Sequence, residues 1–471
     1  MKKSIPFIAL SIIASVYLYS QTNSLLILEN ERATIIRKIF DEALVKGQSY
    51  QNLTHLCKQV GNRLAGSPQA AAAVEWGRQT LLAANADTVY LQPCMVTHWV
   101  RGQHEEGRFI SKRIGHEPIK LCALGGSVAT DPAGLHAPII MIQSLSELDK
   151  LSPKQVKGKI VYLHRPFDEA LISTFSAYSG CAGDRYTGAP KAAKLGAVGF
   201  ILRSLGSPVD DYPHTGSMGY VDSLPKIPAA AVSTKSGDWM KQMIEKDPEA
   251  SFYLNLDCQS YPDAPSFNVI GEIKGTEHPE EVILVGGHLD SWDKGEGAHD
   301  DGAGVVHSIE VLRILKAQGL KPKRTIRCVL FMNEENGAKG AKEYARVAAI
   351  KKTERCIFAL VSDRGGFTPR GFSIDALPDK IEGAYNQVRN YNDLLAPYGI
   401  HQFEKGFSGV DVAPLKEHGT VTSGYIPDSQ RYFDYHHTDA DVLEAVNQRE
   451  LELGAGAITA LIWLISEDGW K

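Results

Sequence analysis

The sequence lacks the features that identify several common classes of protein. Its 471 residues carry 50 basic and 55 acidic side chains, a formal net charge of −5. No excess of positive charge therefore favours binding to nucleic acid or to an anionic membrane. The seven cysteines are too sparse for a disulfide scaffold, and they form no Cys-x-x-Cys pair, so a zinc ribbon is not indicated either. Gly-x-Ser-x-Gly and His-Glu-x-x-His motifs are absent too, which argues against a serine hydrolase and a zincin.

Only the N-terminus carries a long apolar run without charges. Lys2 and Lys3 precede the almost wholly apolar stretch 5–19, and Ser20 offers a small residue for cleavage. Residues 1–20 are therefore predicted to be an export signal, with an uncleaved N-terminal anchor as the alternative. We expect a secreted or periplasmic protein with no stable membrane association once the signal is removed.

The remainder of the chain is long enough for two or three domains. Apolar residues recur at helical spacing over 29–77, whereas 111–264 is typical of a β-rich module with one helix. From residue 265 onward strands alternate with helices, which predicts an α/β fold with a mostly parallel mixed sheet sandwiched by helices. The predicted strands are 269–273, 281–285, 325–332 and 356–361, and the predicted helices are 302–318 and 338–349.

Histidine and acidic side chains follow three successive predicted strands, and others stand before a helix and late in the chain. They are His288, Asp290, Asp300, Glu334, Glu335, Asp363, His436 and His437. Ligands of a mostly parallel sheet bind beyond the carboxyl ends of its strands, so we expect these side chains to meet in one crevice.

Each of these motifs also has an ordinary structural explanation. Asp300-Asp301-Gly302 could simply begin a helix, and Glu334-Glu335 could be a solvated acidic turn. Several carboxylates in one crevice would repel each other, however, and a bound divalent cation removes that penalty. Imidazole and carboxylate without thiolate suit a hydrolytic zinc site, although manganese or cobalt could bind too. The number of candidate ligands favours two ions, about 3.5–4 Å apart.

These motifs resemble those of the M28 family of co-catalytic dizinc peptidases, above all the branch named after plasma glutamate carboxypeptidase (carboxypeptidase Q). The resemblance covers nearly all of the mature chain and implies a zinc exopeptidase-like catalytic domain formed by residues 21–110 and 265–471. The segments 156–161 and 194–201 resemble a protease-associated (PA) domain, inserted over residues 111–264. The resemblance also points to a homodimer.

The same resemblance implies a set of metal ligands. His288 and Asp363 would bind one zinc ion, and Glu335 and His437 would bind the other. Asp300 would bridge the two ions. His437 is chosen over its neighbour because the family pattern places the ligand directly before Thr or Ser.

The family implies roles for Asp290 and Glu334, and His436 and Arg364 are further candidates. Asp290 would hold His288 in the tautomer that binds metal. Glu334 would be the general base toward a water that bridges the two zinc ions, and would then protonate the leaving amine. His436 stands where glutamate-preferring relatives carry tyrosine, so it is a candidate oxyanion donor, with a packing role as the alternative. Arg364 could clamp a substrate carboxylate or form a structural ion pair.

The sequence therefore predicts an exported dizinc exopeptidase that hydrolyses dipeptides or short peptides, of carboxypeptidase or dipeptidase type. Aminopeptidases of the family share the same five ligands, so an aminopeptidase remains an alternative. Two other classes are a non-catalytic receptor on this fold and a single-zinc acyltransferase resembling glutaminyl cyclase. The complete ligand set argues against both.

Overall fold

Two mixed β-sheets of eight strands each organise the chain. The computed structural model describes residues 29–470. The predicted export signal, residues 1–20, lies outside them. Within 29–470, none of the helices combines the length and the apolar character that crossing a membrane requires.

Sixteen strands make up the two sheets. In chain order they are β1 (Thr88–Val100), β2 (Glu105–Ser111), β3 (Gly115–Ile119), β4 (Leu121–Ala123), β5 (Leu135–Ile142), β6 (Ile160–Leu163), β7 (Gly199–Arg203), β8 (Ala229–Val232), β9 (Ser251–Leu256), β10 (Gln259–Ile273), β11 (His278–His288), β12 (Arg324–Phe331), β13 (Arg355–Val361), β14 (Pro369–Asp375), β15 (Gln402–Lys405) and β16 (Val421–Pro427). The first sheet has the order β1-β10-β12-β11-β13-β16-β14-β15, and the second has the order β3-β2-β9-β5-β6-β7-β8-β4.

The α-helices are α1 (29–46), α2 (Ser49–His55), α3 (Pro68–Ala83), α4 (Leu145–Leu148), α5 (Pro153–Val156), α6 (Thr174–Ser179), α7 (Ala182–Lys194), α8 (Thr234–Lys246), α9 (Ala303–Ala317), α10 (Lys339–Ile350), α11 (Ile381–Arg389), α12 (Asn392–Leu395), α13 (Tyr432–Tyr435) and α14 (Gln448–Asp468). Short π-helical turns occupy Leu56–Val60 and Ala298–Gly302. Single 3-10 turns lie at Ala396–Tyr398, Ala413–His418, Ser429–Arg431 and Leu443–Ala445.

The centre of the first sheet is parallel and covered on both faces. β11 runs parallel to β12 and β13, and β13 runs parallel to β16. Ile283 and Val285 pack on the face that carries α9 and α14, while Leu284 packs on the face of α10. Burial on both faces explains why these strands are continuous apolar runs rather than alternating ones. The predicted α/β fold with a helix-covered, mostly parallel mixed sheet is confirmed.

The second sheet and its helices form what we call the second module, residues 105–256. Its bounds differ from the predicted 111–264, because β2 already belongs to the second sheet and β10 to the first. The polar stretch that begins at Arg101 predicts a domain edge, and Arg101 itself is buried and ion-paired. The first half of β10 is largely exposed and lacks an apolar pattern. The module also contains five helices, α4 to α8, where one was predicted.

Candidate metal centre

The carboxyl ends of three parallel strands bring the predicted ligands together. His288 is the last residue of β11 and pairs with Phe331, the last residue of β12. Glu334 and Glu335 follow directly after β12, and Asp363 follows β13. Because the register aligns these strand ends, the side chains converge at one edge of the sheet, as the sequence predicts.

Asp300 lies at the centre of the cluster. Its Oδ1 is 3.2 Å from His288 Nε2, which is also 3.6 Å from Asp363 Oδ1. Its Oδ2 is 3.2 Å from His437 Nε2, which is also 3.2 Å from Glu335 Oε2. Asp300 is therefore shared by two groups of side chains. The side chains close enough together to hold a metal ion are His288, Asp300 and Asp363 on one side, and Asp300, His436 and His437 on the other.

Asp290 plays a part that differs from the predicted one. The backbone carbonyl of Asp290, not its carboxylate, accepts the hydrogen bond from His288 Nδ1 at 2.9 Å. The carboxylate lies 3.9 Å from that nitrogen and accepts instead from the backbone N–H groups of Glu334 at 3.0 Å and Glu335 at 3.4 Å. Asp290 thus shapes the turn that carries the two glutamates.

His436 lies against His437 and close to Asp300. The two imidazole rings stack at 3.5 Å, and His436 Nε2 is 3.8 Å from Asp300 Oδ2. Burial and the neighbouring charge of His437 hold the pKa of His436 well below its usual range, so the ring is neutral. The ring also packs on Tyr178 and Phe433, and its Nδ1 has no hydrogen-bond partner within residues 29–470.

Burial raises the pKa of most carboxyl groups in the cluster. The pKa of Glu335 rises to about 7 through burial and the charge of Asp300. Burial also raises the pKa of Asp363, and raises that of Glu334 well above its usual range. Asp300 is the exception, because the adjacent imidazoles of His288 and His437 outweigh its burial and lower its pKa.

A divalent cation fits these residues. A raised pKa means that burial disfavours the charged form of these acids, and a bound positive charge compensates this. Asp300 Oδ2 is buried and receives no hydrogen bond within the described chain, so it has an unused acceptor. Imidazole nitrogens and carboxylate oxygens are the donor set of hydrolytic metal sites.

The cluster opens onto a cavity of about 950 Å³ between the first sheet and the second module. Asp300, Asp363 and the two glutamates, Glu334 and Glu335, form part of its wall. Aromatic and basic side chains also line the cavity, among them Phe175, Tyr178, Tyr432, Arg185 and Arg364. A peptide could therefore reach the cluster from this cavity.

Comparison with known proteins assigns the family. The model of peptidase family M28 matches residues 268–462, which include every predicted site residue. Carboxypeptidase Q of Bos taurus is 34% identical over 424 residues, covering 90% of this chain and 86% of that protein. The chain belongs to peptidase family M28. Like its carboxypeptidase Q relatives, it is a metallopeptidase.

The chain is also similar to a solved M28 peptidase structure and to a bacterial aminopeptidase. The crystal structure of a peptidase M28 precursor from Shewanella amazonensis SB2B is 32% identical, with a TM-score of 0.87, and covers 93% of this chain and 97% of that one. Aminopeptidase YwaD of Bacillus subtilis is 24% identical over 425 residues, covering 88% of this chain and 84% of that protein.

Arg63 is a residue of this M28 site for which the sequence gives no signal. Its fully buried guanidinium donates to three backbone carbonyls, those of Leu289 at 2.6 Å, Glu296 at 2.7 Å and Gly297 at 3.0 Å. These carbonyls belong to the loop between His288 and the turn that carries Asp300. Arg63 therefore fixes the path of the chain between two of the predicted ligands.

Asp441 and Asp301 hold the backbone at the predicted ligands themselves. The Asp441 carboxylate accepts from the N–H groups of His299 at 2.7 Å and Asp300 at 3.1 Å. Asp301 accepts from the N–H groups of His288 at 2.9 Å and Gly304 at 3.0 Å. Burial raises the pKa of Asp441 to about 7. Asp441 stands four residues after His437, and only this proximity could have drawn attention to it.

Proposed function

We propose that this M28 peptidase is an exported dizinc exopeptidase of carboxypeptidase or dipeptidase type that acts on dipeptides or short peptides. His288 and Asp363 would hold one zinc ion, Glu335 and His437 the other, and Asp300 would lie between both. The distances around Asp300 support this division, because each pair lies on its own side of that carboxylate.

The residues around the ions would divide the chemistry of peptide hydrolysis. Zinc bound here would supply Lewis-acid polarisation of the scissile carbonyl and neutralise the developing negative charge. Glu334, on the cavity wall, takes the proton from the attacking water and passes it to the leaving amine. His436 is neutral and donates one N–H to the oxyanion.

Arg364 is the residue that supports a carboxypeptidase or dipeptidase activity. It lies on the cavity wall next to Asp363, with its guanidinium 4.9 Å from the centre of the Phe175 ring. Within residues 29–470 the guanidinium forms neither a hydrogen bond nor an ion pair at 4.0 Å or less. The structural ion pair considered as its alternative role is therefore not formed. A guanidinium that has no hydrogen-bonding partner and lies beside the reacting centre suits a substrate carboxylate, which it can bind with two hydrogen bonds.

The comparisons favour the same type of activity. Carboxypeptidase Q of Bos taurus is 34% identical to this chain over 90% of its length, whereas aminopeptidase YwaD is 24% identical over 88%. Export rests on the apolar stretch 5–19 alone. The PA-like identity of the second module and the homodimer remain predictions from the family resemblance.

Dipeptides with one blocked terminus test the proposal. An N-acetylated dipeptide keeps its carboxylate, and a dipeptide amide keeps its amine. We expect cleavage of the unblocked and N-acetylated dipeptides but not of the amide, with loss of activity in chelator and recovery in zinc. Cleavage of the amide alone would identify an aminopeptidase. A protein that binds two zinc ions but cleaves no peptide would be a binding protein on this fold.

Export has its own test. In a bacterial host that expresses the full chain, we expect the mature protein in the periplasm or medium, with an N-terminus near residue 21. A protein that stays with the membrane and keeps Met1 would be anchored instead.

A further inference from the structure

A loop of the second module reaches the metal centre from the far side of the cavity. This loop, residues 214–218 between β7 and β8, is called the anchor loop below. Thr215 N donates to the backbone carbonyl of His437 at 3.0 Å, and His437 Nδ1 donates to the backbone carbonyl of Thr215 at 3.2 Å. The anchor loop therefore holds both the backbone and the ring of a proposed ligand.

The contact with the ring selects the form of His437 that can bind a metal. A hydrogen on Nδ1 leaves the lone pair on Nε2, the nitrogen that lies 3.2 Å from both Asp300 and Glu335. The backbone contact matters as well, because His437 has a φ of 63°, a left-handed conformation that is uncommon outside glycine. The hydrogen bond from Thr215 helps to keep His437 in that conformation.

The anchor loop also contacts the second proposed ligand of the same ion. Ser217 Oγ donates a hydrogen bond to the backbone carbonyl of Glu335. Among the described residues, the loop forms no hydrogen bond with His288 or Asp363, the proposed ligands of the other ion. Its influence should therefore fall on one ion and not on both.

A buried arginine fixes the anchor loop to the first sheet. Thr215 Oγ1 donates to the carbonyl of Ala123 at 2.9 Å and accepts from Arg101 Nη2 at 3.1 Å. Arg101 also donates to Asp293 at 2.6 Å, and Asp293 lies on the loop that follows His288. Arg101 stands between β1 and β2, where the chain passes from one sheet to the other. The Thr215 hydroxyl thus links the second module to the loop beside the metal centre.

We infer that the second module is a working part of the metal centre, because its anchor loop positions Glu335 and His437 for one of the two ions. Thr215 is a positioning residue, since it acts through His437 and does not touch substrate. The inference rests on the proposed two-ion function. It predicts that loosening the anchor loop lowers the affinity of one zinc site and leaves the other unchanged.

Substitution of Thr215 tests this. Thr215→Val keeps the shape of the side chain and removes the hydroxyl, whereas Thr215→Ser keeps the hydroxyl. Thr325→Val is the matched control, because the Thr325 hydroxyl is also buried, donates to a carbonyl (Pro279, 2.8 Å) and accepts from an N–H (Gly275, 3.1 Å). Thr325 lies at the start of β12, at the sheet edge opposite the metal centre.

A second variant perturbs the anchor loop without using the hydroxyl. Gly216 has a φ of 136°, and a Cβ there would lie 2.4 Å from the guanidinium carbon of Arg185. Gly216→Ala must therefore shift the anchor loop. It gives an independent result if Thr215→Val does not fold, which circular dichroism and the melting temperature would report.

The measurement is zinc titration of the chelator-stripped full chain, followed by calorimetry and by competition with a coloured chelator. The wild type, Thr325→Val and Thr215→Ser should bind two ions alike. Thr215→Val and Gly216→Ala should bind one ion normally and the second about 10-fold to 100-fold more weakly. If the wild type binds fewer than two ions, the proposed function fails. If it binds two and the folded variants lose neither ion, or lose both equally, the inference is wrong.

Discussion

Removing the metal should make the stability of this peptidase fall as pH rises from 7 to 9. Without a cation, His437 is held protonated: burial lowers its pKa, but Glu335 and Asp300 raise it to about 9. A histidine whose pKa is raised on folding stabilises the fold below its unfolded pKa of about 6.5, and this contribution disappears as pH rises through the folded value. Burial raises the pKa of Asp411 to about 8, so the stability that this group contributes in its protonated form is also lost as pH rises.

The size of the effect follows from these two groups. Between pH 7 and 9, the shift of His437 corresponds to a loss of about 2 kcal/mol in the free energy of unfolding, and that of Asp411 to about 1 kcal/mol. Both side chains are buried, at 8% and 2% exposure, so solvent screening does not reduce the figures. With an unfolding entropy of about 1 kcal/mol/K for a chain of this length, the melting temperature should drop by roughly 3 °C.

Differential scanning calorimetry at pH 7, 8 and 9 measures this in chelator and in saturating zinc. The zinc-loaded protein is the control for charges elsewhere, because a His437 that binds metal carries no proton to lose. We expect the gap between the two melting temperatures to widen with pH. A gap that stays constant, or that narrows, would refute the reasoning. His437→Gln in chelator should show a shallower pH dependence than the chelated wild type.

Three other substitutions give further predictions. Arg364→Gln should lower kcat/KM for an N-acetylated dipeptide about 10-fold to 150-fold, mainly by raising KM. The reason is the loss of a charge-assisted contact worth about 1.5–3 kcal/mol. Steady-state kinetics measures both constants. Glu334→Gln should lower kcat about 10²-fold to 10⁴-fold and leave the number of bound zinc ions unchanged, because Glu334 moves protons and is not a proposed ligand; kinetics and metal analysis test both parts. Asp441→Asn should lower the free energy of unfolding by about 1–3 kcal/mol and weaken zinc binding. The reason is that an amide offers only one oxygen to the two backbone N–H groups of His299 and Asp300. Urea unfolding measures the stability, and zinc titration measures the affinity.

Each of these has a contrary outcome, and the Arg364 prediction also has a control variant. Arg346→Gln removes an exposed guanidinium paired with Glu343 and should leave kcat/KM unchanged. An equal loss in Arg346→Gln and Arg364→Gln would show that Arg364 has no special role. Loss of zinc from Glu334→Gln would make Glu334 a ligand. Unchanged stability in Asp441→Asn would mean that water replaces the carboxylate.

The position of the metal centre could be predicted because two local patterns determine it. β11, β12 and β13 each contain an apolar run, with a histidine or acidic residue within three positions of the strand's end, and such runs predict buried parallel strands. Ligands bind beyond the carboxyl ends of such strands, so the position of the site follows from the predicted strands alone. The structure confirms that His288, Glu335 and Asp363 reach one edge of the sheet.

Roles that depend on the path of the backbone could not be predicted in this way. The family resemblance implies a contact between the carboxylate of Asp290 and the imidazole of His288. Instead, the backbone carbonyl of Asp290 meets the imidazole, and its carboxylate turns toward Glu334 and Glu335. Arg63 is similar, since its partners are three carbonyl groups, and carbonyl groups leave no trace in residue identity.

The anchor loop could not be predicted from the sequence for two reasons: its partners are distant in the chain, and its contacts are made by backbone atoms. Thr215 is 222 positions from His437, and Arg101 is 192 positions from Asp293, so no local periodicity links them. The atom of Thr215 that meets the imidazole is a backbone oxygen, which any residue would supply. Only Gly216 carries a trace in the sequence, because its φ of 136° and the nearby Arg185 leave no room for a side chain. A module can therefore belong to a metal centre without contributing a single ligand, and side-chain chemistry alone would assign it to binding or gating.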